Sequence, residues 1–217
     1  RYIMLPGHFF KTHDSKIDDN TYLTVCTGGR MFSLLFKAKD LTYLLNAKGG
    51  ETDVCLWNVP SDTNQTIPAF ADIVNQFATA SQIKPILGMG QKKADSQVAL
   101  IDNEAVITLP NAQLTGSKTN WTYEEGSNPI AVDKLYRYDY LTKKGFCGKL
   151  LSTPYTIYGV HVLGGSSGSS FHRGYAQVVT REELDKLTTL YTAQVDEYEG
   201  VEVVSDSSFL YDTDRSE

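Results

Sequence analysis

Apolar residues along this chain come in short bursts cut by turn-forming residues, and sustained helical spacing is scarce, so the pattern predicts strands. In the first part they fall at Tyr2–Leu5, Tyr22–Cys26, Met31–Lys37, Thr42–Asn46 and Val54–Val59. A second group follows from Pro85, at Ile86–Met89, Val98–Ile101, Ala105–Leu109, Trp121–Tyr123, Leu135–Tyr140, Leu150–Ser152, Thr156–Val162 and Gly174–Val179. Ile67–Ala78 is the exception: Ile67, Phe70, Ile73, Val74 and Phe77 recur at spacings of three and four, which predicts a short amphipathic helix or helical turn. Thr180-Arg181-Glu182-Glu183 reads as a capped helix start, with Thr180 accepting an N–H bond and Glu183 three positions on. That helix is expected to run to about Ala193. The chain therefore divides into residues 1–80, residues 85–180 and a terminal helix with its tail over 181–217.

At 217 residues the chain is long enough to bury a sizeable core. It shows no apolar run of membrane-spanning length and no basic segment leading into an apolar one, so neither a membrane segment nor a leader is expected. Three cysteines, Cys26, Cys55 and Cys147, lack the number and spacing of a disulfide framework or a zinc site, so a reduced compartment and no metal are expected. Cys26 and Cys55 read as strand-core thiols. No phosphate-cradling motif is present, and no cofactor is expected. The net charge of −6 is uneven: residues 195–217 hold eight acids against Arg215, a net −7 that leaves the body near +1. The end of the chain thus reads as a solvated acidic tail.

The chemistry concentrates late. Thr142-Lys143-Lys144-Gly145-Phe146-Cys147-Gly148 sets a cysteine between glycines, and His161 follows fourteen residues after Cys147 within Gly159-Val160-His161-Val162-Leu163-Gly164-Gly165. A glycine-flanked cysteine can sit on a tight turn with its thiol exposed and backbone N–H groups aimed at one spot. Acyl transfer needs that arrangement, because the developing oxyanion requires preorganised donors beside the attacking sulfur.

The pairing of Gly-x-Cys-Gly with Gly-Val-His-Val-x-Gly-Gly resembles the picornaviral 3C and 3C-like cysteine proteases. The resemblance implies a mainly β, chymotrypsin-like double β-barrel that cuts viral polyproteins after glutamine or glutamate, in the host cell cytoplasm. Residues 1–80 would be the first barrel and 85–180 the second. The resemblance also implies the order histidine, acid, cysteine. His8, ending the apolar segment Ile3-Met4-Leu5-Pro6-Gly7, would be the general base, and Asp53, opening Val54-Cys55-Leu56-Trp57, the acid that orients it. Glu51, two residues away and on the same face of an extended strand, is the rival for that role. A third arrangement would pair Cys147 with His161 and leave His8 incidental.

Further roles follow from the same resemblance. The N–H groups of Gly145 and Cys147 would form the oxyanion hole. His161 and Thr142 would bind the substrate's glutamine side chain, supported by Tyr138, with Tyr136 and Tyr140 as nearby rivals. A neutral imidazole donating one N–H suits a carbonyl oxygen. Val162, Leu163, Gly164 and Gly165 would present a strand edge to an extended substrate. His13 and His172 read as surface residues.

Two departures qualify the resemblance. Only seven residues precede His8, so either the sequence begins inside a longer protein or the first barrel lacks its N-terminal strand or strands. Where relatives carry a basic Lys-Phe-Arg-Asp-Ile patch for viral RNA, this chain has Pro68-Ala69-Phe70-Ala71-Asp72-Ile73, which keeps the apolar frame and loses both cations. RNA binding is therefore not expected at residues 67–73. A noncatalytic binding module of the replication complex is the competing reading.

Overall fold

The computed structural model describes residues 2–11, 16–27, 29–59, 73–87, 97–102, 104–115, 118–121, 130–132, 134–143, 145–164 and 173–187. Among them the strands are β1 (Tyr2–Pro6), β2 (Tyr22–Thr27), β3 (Arg30–Leu35), β4 (Leu41–Leu45), β5 (Glu51–Asn58), β6 (Ile86–Leu87), β7 (Ala99–Ile101) and β8 (Val106–Thr108). They continue as β9 (Asn111–Thr115), β10 (Lys118–Trp121), β11 (Ile130–Val132), β12 (Leu135–Tyr138), β13 (Leu150–Ser152), β14 (Ile157–Gly164) and β15 (Gly174–Val178). Residues 181–187 are α-helical, capped by a reciprocal pair in which Thr180 N–H donates to Glu183 Oε2 at 2.8 Å and Glu183 N–H to Thr180 Oγ1 at 3.3 Å. The acidic tail, His13, His172 and Gly165 lie outside the described residues.

Strand β5 is central to the first part of the chain, hydrogen-bonded to β1 on one side and β4 on the other. Its sequence is apolar without alternation because both faces are covered. Val54 and Leu56 face one core cluster, while Cys55 and Trp57 face another. The second cluster is shared with the β2–β3 hairpin, which contributes Phe32 and Leu34. There Phe10 stacks on Phe36 at 5.1 Å, and Trp57 meets both rings edge-on at 6.0 and 6.1 Å. Each such pair adds about 1 kcal/mol beyond area burial. Cys55 is buried here, but Cys26 is exposed. Leu23 and Val25 take the inward positions of β2, so the period of two turns Cys26 outward opposite Met31.

From Ile86 onward eight strands form one curled antiparallel sheet in the order β6-β9-β12-β15-β14-β13-β7-β8. Its concave side holds a continuous core that includes Ile86, Leu100, Leu109, Ala112, Tyr136, Leu151 and Val178. Two of the chain's strands, β9 and β11, have no counterpart in the sequence-based reading. Asn111–Thr115 carries only Ala112 and Leu114 as apolar residues, and β11 is three residues long.

The cluster that Val54 and Leu56 face joins the two sheets: with Leu44 they pack against Leu135, Ile157, Val160, Val162 and Val179. Val74 and Phe77 enter the same cluster from the connecting segment. They flank a single 3-10 turn, Val74–Gln76, where the expected helical turn falls. Spacing of three suffices to put both side chains on one side of such a turn. Residues 67–72 lie outside the described residues. The connection is fastened by Arg181, whose guanidinium donates to Asn75 O at 2.6 Å, and by Glu182, which accepts the Ala80 N–H at 3.0 Å.

Candidate active site

Strand β1 ends at Pro6, and the 3-10 turn Gly7–Phe9 swings His8 back across the end of β5. The register pairs Pro6 with Val54, which brings Asp53 under that turn. Asp53 is 2% exposed and accepts the His8 backbone N–H at Oδ1, 2.8 Å, and lies 2.7 Å from His8 Nδ1 through Oδ2. Glycine is required at position 7 by close approach: a Cβ there would stand 2.7 Å from Tyr43 Cε1 and 3.4 Å from Asp53 Oδ1. The rival acid Glu51 is engaged elsewhere, 3.1 Å from Lys11 Nζ, which itself caps the Tyr43 ring at 4.3 Å. Of the two candidate carboxylates, Asp53 therefore holds His8.

Cys147 lies on the turn between β12 and β13. Gly145 and Gly148 adopt φ of +92° and +94°, a region that side chains disfavour. The turn is closed by Phe146 N–H to Lys143 O at 3.1 Å and Lys149 N–H to Phe146 O at 3.0 Å. It is pinned to β14 by Gly148 N–H to His161 O at 2.9 Å and His161 N–H to Lys149 O at 2.8 Å. Among the described residues, neither Gly145 nor Cys147 gives its N–H to another backbone group. The sulfur is 3.6 Å from Val162 O and near enough to the His8 imidazole to favour that ring's charged form.

Burial opposes charge on His8, but the hydrogen bonds and charges of Asp53 and Cys147 outweigh it and raise its pKa to about 9. The charged form of this ring is thus favoured. His161 is shifted the opposite way: burial first, then the positive charges of His8 and Lys149, lower it to about 4. His161 is 1% exposed and bonded through Nδ1 to the Tyr138 hydroxyl. Burial raises the Tyr138 pKa well above its usual value, so that hydroxyl keeps its proton and donates to Nδ1. The Nε2 of neutral His161 is left carrying the ring N–H. Of the three candidate tyrosines, Tyr138 makes this bond; the Tyr136 hydroxyl donates to Lys84 O at 2.7 Å.

Thr142 lies beside this imidazole wall. Its Oγ1 is buried with no hydrogen-bond partner, and a Cβ on Gly164 or Gly174 would run into the Thr142 side chain. A Cβ on Gly174 would also strike Tyr138. The glycines leave the space that Thr142 and Tyr138 occupy. Val162 sits at a register shift between His161 and Leu163 in the β14–β15 ladder, which aims its carbonyl at the sulfur. Beyond Val160, β14 has no β13 partner, so among the described residues Leu163 and Gly164 lie on an edge open on that side.

Sequence reasoning passed over Lys149 and Phe146. Lys149 is 9% exposed, paired with Asp102, and its ammonium stands 5.3 Å from the Phe146 ring centroid. Phe146 in turn meets the His161 ring edge-on at 6.2 Å. The clue was a lysine heading the apolar run Leu150-Leu151. Among the described residues no group of three or more metal-ligating side chains converges, and no helix is long and apolar enough to cross a membrane.

No protein-family model matches this chain and no curated protein matches it in sequence. Solved structures do match in fold. The 3C protein of HRV-C, solved with rupintrivir, aligns with a TM-score of 0.53 at 18% identity, over 83% of this chain and 81% of that one. Catalytically active tobacco etch virus protease complexed with product aligns at 0.50 and 15% identity, over 88% and 68% of the respective chains. A further structure of the tobacco etch virus protease gives 0.51 and 14% identity, over 86% and 67%. The architecture is that of the chymotrypsin-like viral cysteine proteases.

Proposed function

We propose that this chain is a cysteine endopeptidase that cuts a viral polyprotein after glutamine or glutamate through an acyl-enzyme. One observation carries the reading: a line of interacting side chains runs from Asp53, 2.7 Å from His8 Nδ1, through His8 to Cys147, joining the first part of the chain to the second. Such a line is the requirement for an activated sulfur nucleophile. The alternative dyad with His161 is disfavoured because that imidazole is committed to Tyr138, whereas His8 meets the sulfur.

The thiol proton passes to His8, whose charged form Asp53 favours. The sulfur adds to the scissile carbonyl carbon, and the electron pair moves onto the carbonyl oxygen. The N–H groups of Gly145 and Cys147, which bond no other backbone group among the described residues, would donate to that oxyanion. As the tetrahedral intermediate collapses, His8 gives its proton to the leaving amine and the thioester remains. His8, now neutral, takes a proton from water as that water attacks the thioester, and the acid product leaves.

The Nε2–H of His161 and the Thr142 hydroxyl supply the polar floor for a glutamine side chain. The open edge at Val162–Gly164 would pair with extended substrate backbone, giving affinity through main-chain bonds, and Gly165 would continue it. The polyprotein partner and the host cytoplasm follow from this reading. Incubating the protein with a peptide library beside Cys147→Ala tests it. Cleavage after glutamine or glutamate, lost in the variant, is expected. A folded protein that cuts nothing would return the chain to the binding-module reading.

A further inference from the structure

The two halves of the reactive pair stand on different sheets. His8 lies on the 3-10 turn that follows β1 and Asp53 lies in β5, and Cys147 hangs from β14 through Gly148 and His161. The contact between sheets is largely apolar, made by Val54, Leu56, Val160, Val162 and Val179. Apolar contact holds surfaces together but tolerates sliding, since burial is indifferent to direction. A thiol and an imidazole that must share a proton need closer control than that.

A polar bond crosses this interface beside the site. Gln177 on β15, 3% exposed, donates from Nε2 to Thr52 Oγ1 at 2.6 Å, and Thr52, 6% exposed, passes its own proton to Leu44 O at 2.8 Å. Thr52 directly precedes Asp53. Gln177 pairs with Val160, the residue before His161, whose carbonyl holds the nucleophile turn. The route from Asp53 to Cys147 through this bond is therefore short and made of strand backbone and hydrogen bonds. Gln177 Oε1 is buried without a partner, a cost that an apolar side chain at the same place would avoid.

We propose that Gln177 and Thr52 are positioning residues: their hydrogen bond fixes the register of the two sheets and thereby holds the His8 imidazole against the Cys147 sulfur. The proposal rests on the assignment of Cys147 and His8 as the reactive pair. Neither positioning residue touches substrate, so its loss acts on the pair and not on the pocket.

The test is alkylation of Cys147 by iodoacetamide between pH 5 and 10, followed at that residue by peptide mass so that exposed Cys26 does not contribute. A free thiol reacts only near and above its ordinary pKa, whereas an ion-paired one reacts well below it. The wild type and Thr52→Ser, which keeps the hydroxyl, are expected to react at pH 6 nearly as fast as at pH 8. Gln177→Met is expected to lose about tenfold at pH 6, keep its rate at pH 10, and show reduced kcat with KM within about twofold. If Gln177→Met does not fold by circular dichroism, Gln177→Asn, too short to reach Thr52, replaces it with the same expectation. A folded variant with the wild-type profile overturns the positioning role alone. A wild type with no reactivity at pH 6 overturns the reactive pair, and this inference with it.

Discussion

One carboxylate holds both ends of one histidine: Asp53 Oδ1 takes the His8 backbone N–H at 2.8 Å while Oδ2 meets Nδ1 at 2.7 Å. The turn and the ring are therefore fixed by the same buried group. Asp53→Asn keeps the size but replaces one acceptor by a donor, which clashes with one of the two N–H groups and releases the other tautomer. We expect kcat to fall about ten- to a hundredfold, less than a serine enzyme would lose, because a thiol ionises more readily. Glu51→Gln, which removes a carboxylate that meets Lys11 at the surface, is expected to stay within about twofold by the same steady-state assay.

The His8 shift makes stability depend on alkaline pH. Its pKa rises from 6.5 unfolded to about 9 folded, so its contribution is complete below 6.5 and is lost as pH climbs through 9. A shift of this size corresponds to about 3 kcal/mol. Urea midpoints at pH 6 and pH 9.5 are expected to differ accordingly in the wild type and to converge in His8→Gln. Cys147→Ala removes two of the causes that raise His8, so the ring's NMR titration is expected to move to lower pH. An unchanged titration in that variant would deny contact between the two side chains.

How much of this was legible in the sequence depended on what each residue's neighbours could hide. β5 and β14 announced themselves because unbroken apolar runs are strands covered on both faces. The Gly145, Cys147 and Gly148 pattern was readable because positive φ leaves few alternatives to glycine. Adjoining the apolar run favours Asp53 over Glu51, but the β1–β5 register that brings it under His8 is something no single strand encodes. Gln177 and Lys149 were invisible for a related reason: one polar residue in a strand reads as solvent-facing until pairing shows that both faces are covered. Cys26 failed in the opposite sense, an apolar-seeming residue on the outward half of β2.

Neutral His161 sets a prediction for specificity. With its pKa lowered to about 4 by burial and nearby cations, the ring offers one N–H and no charge between pH 5 and 8. A glutamate side chain entering this wall must shed its charge, which grows easier as pH falls toward the ordinary carboxylate range. The ratio of kcat/KM for glutamine over glutamate peptides is therefore expected to drop on going from pH 8 to pH 5. Tyr138→Phe frees Nδ1 to carry the proton and is expected to cut kcat/KM on glutamine peptides by about tenfold while leaving Cys147 alkylation unchanged. Loss of alkylation in that variant would mean that Tyr138 supports the nucleophile rather than the pocket.

The Lys149–Asp102 pair predicts an asymmetry. Lys149 is the more enclosed partner, with its side chain 10% exposed against 31% for Asp102. Asp102→Asn leaves an ammonium without its counter-charge behind the nucleophile turn, at a cost of about 3 kcal/mol. Lys149→Met leaves a carboxylate that can turn to water and still accepts the N–H groups of Glu104 and Ala105, both at 2.8 Å, so its cost is about 1 kcal/mol. Urea denaturation of the two variants should rank them in that order. Only Lys149→Met removes a cation that lowers His161, so only there should the His161 NMR titration move upward. Equal destabilisation, with His161 unmoved in both, would reduce the pair to a surface contact.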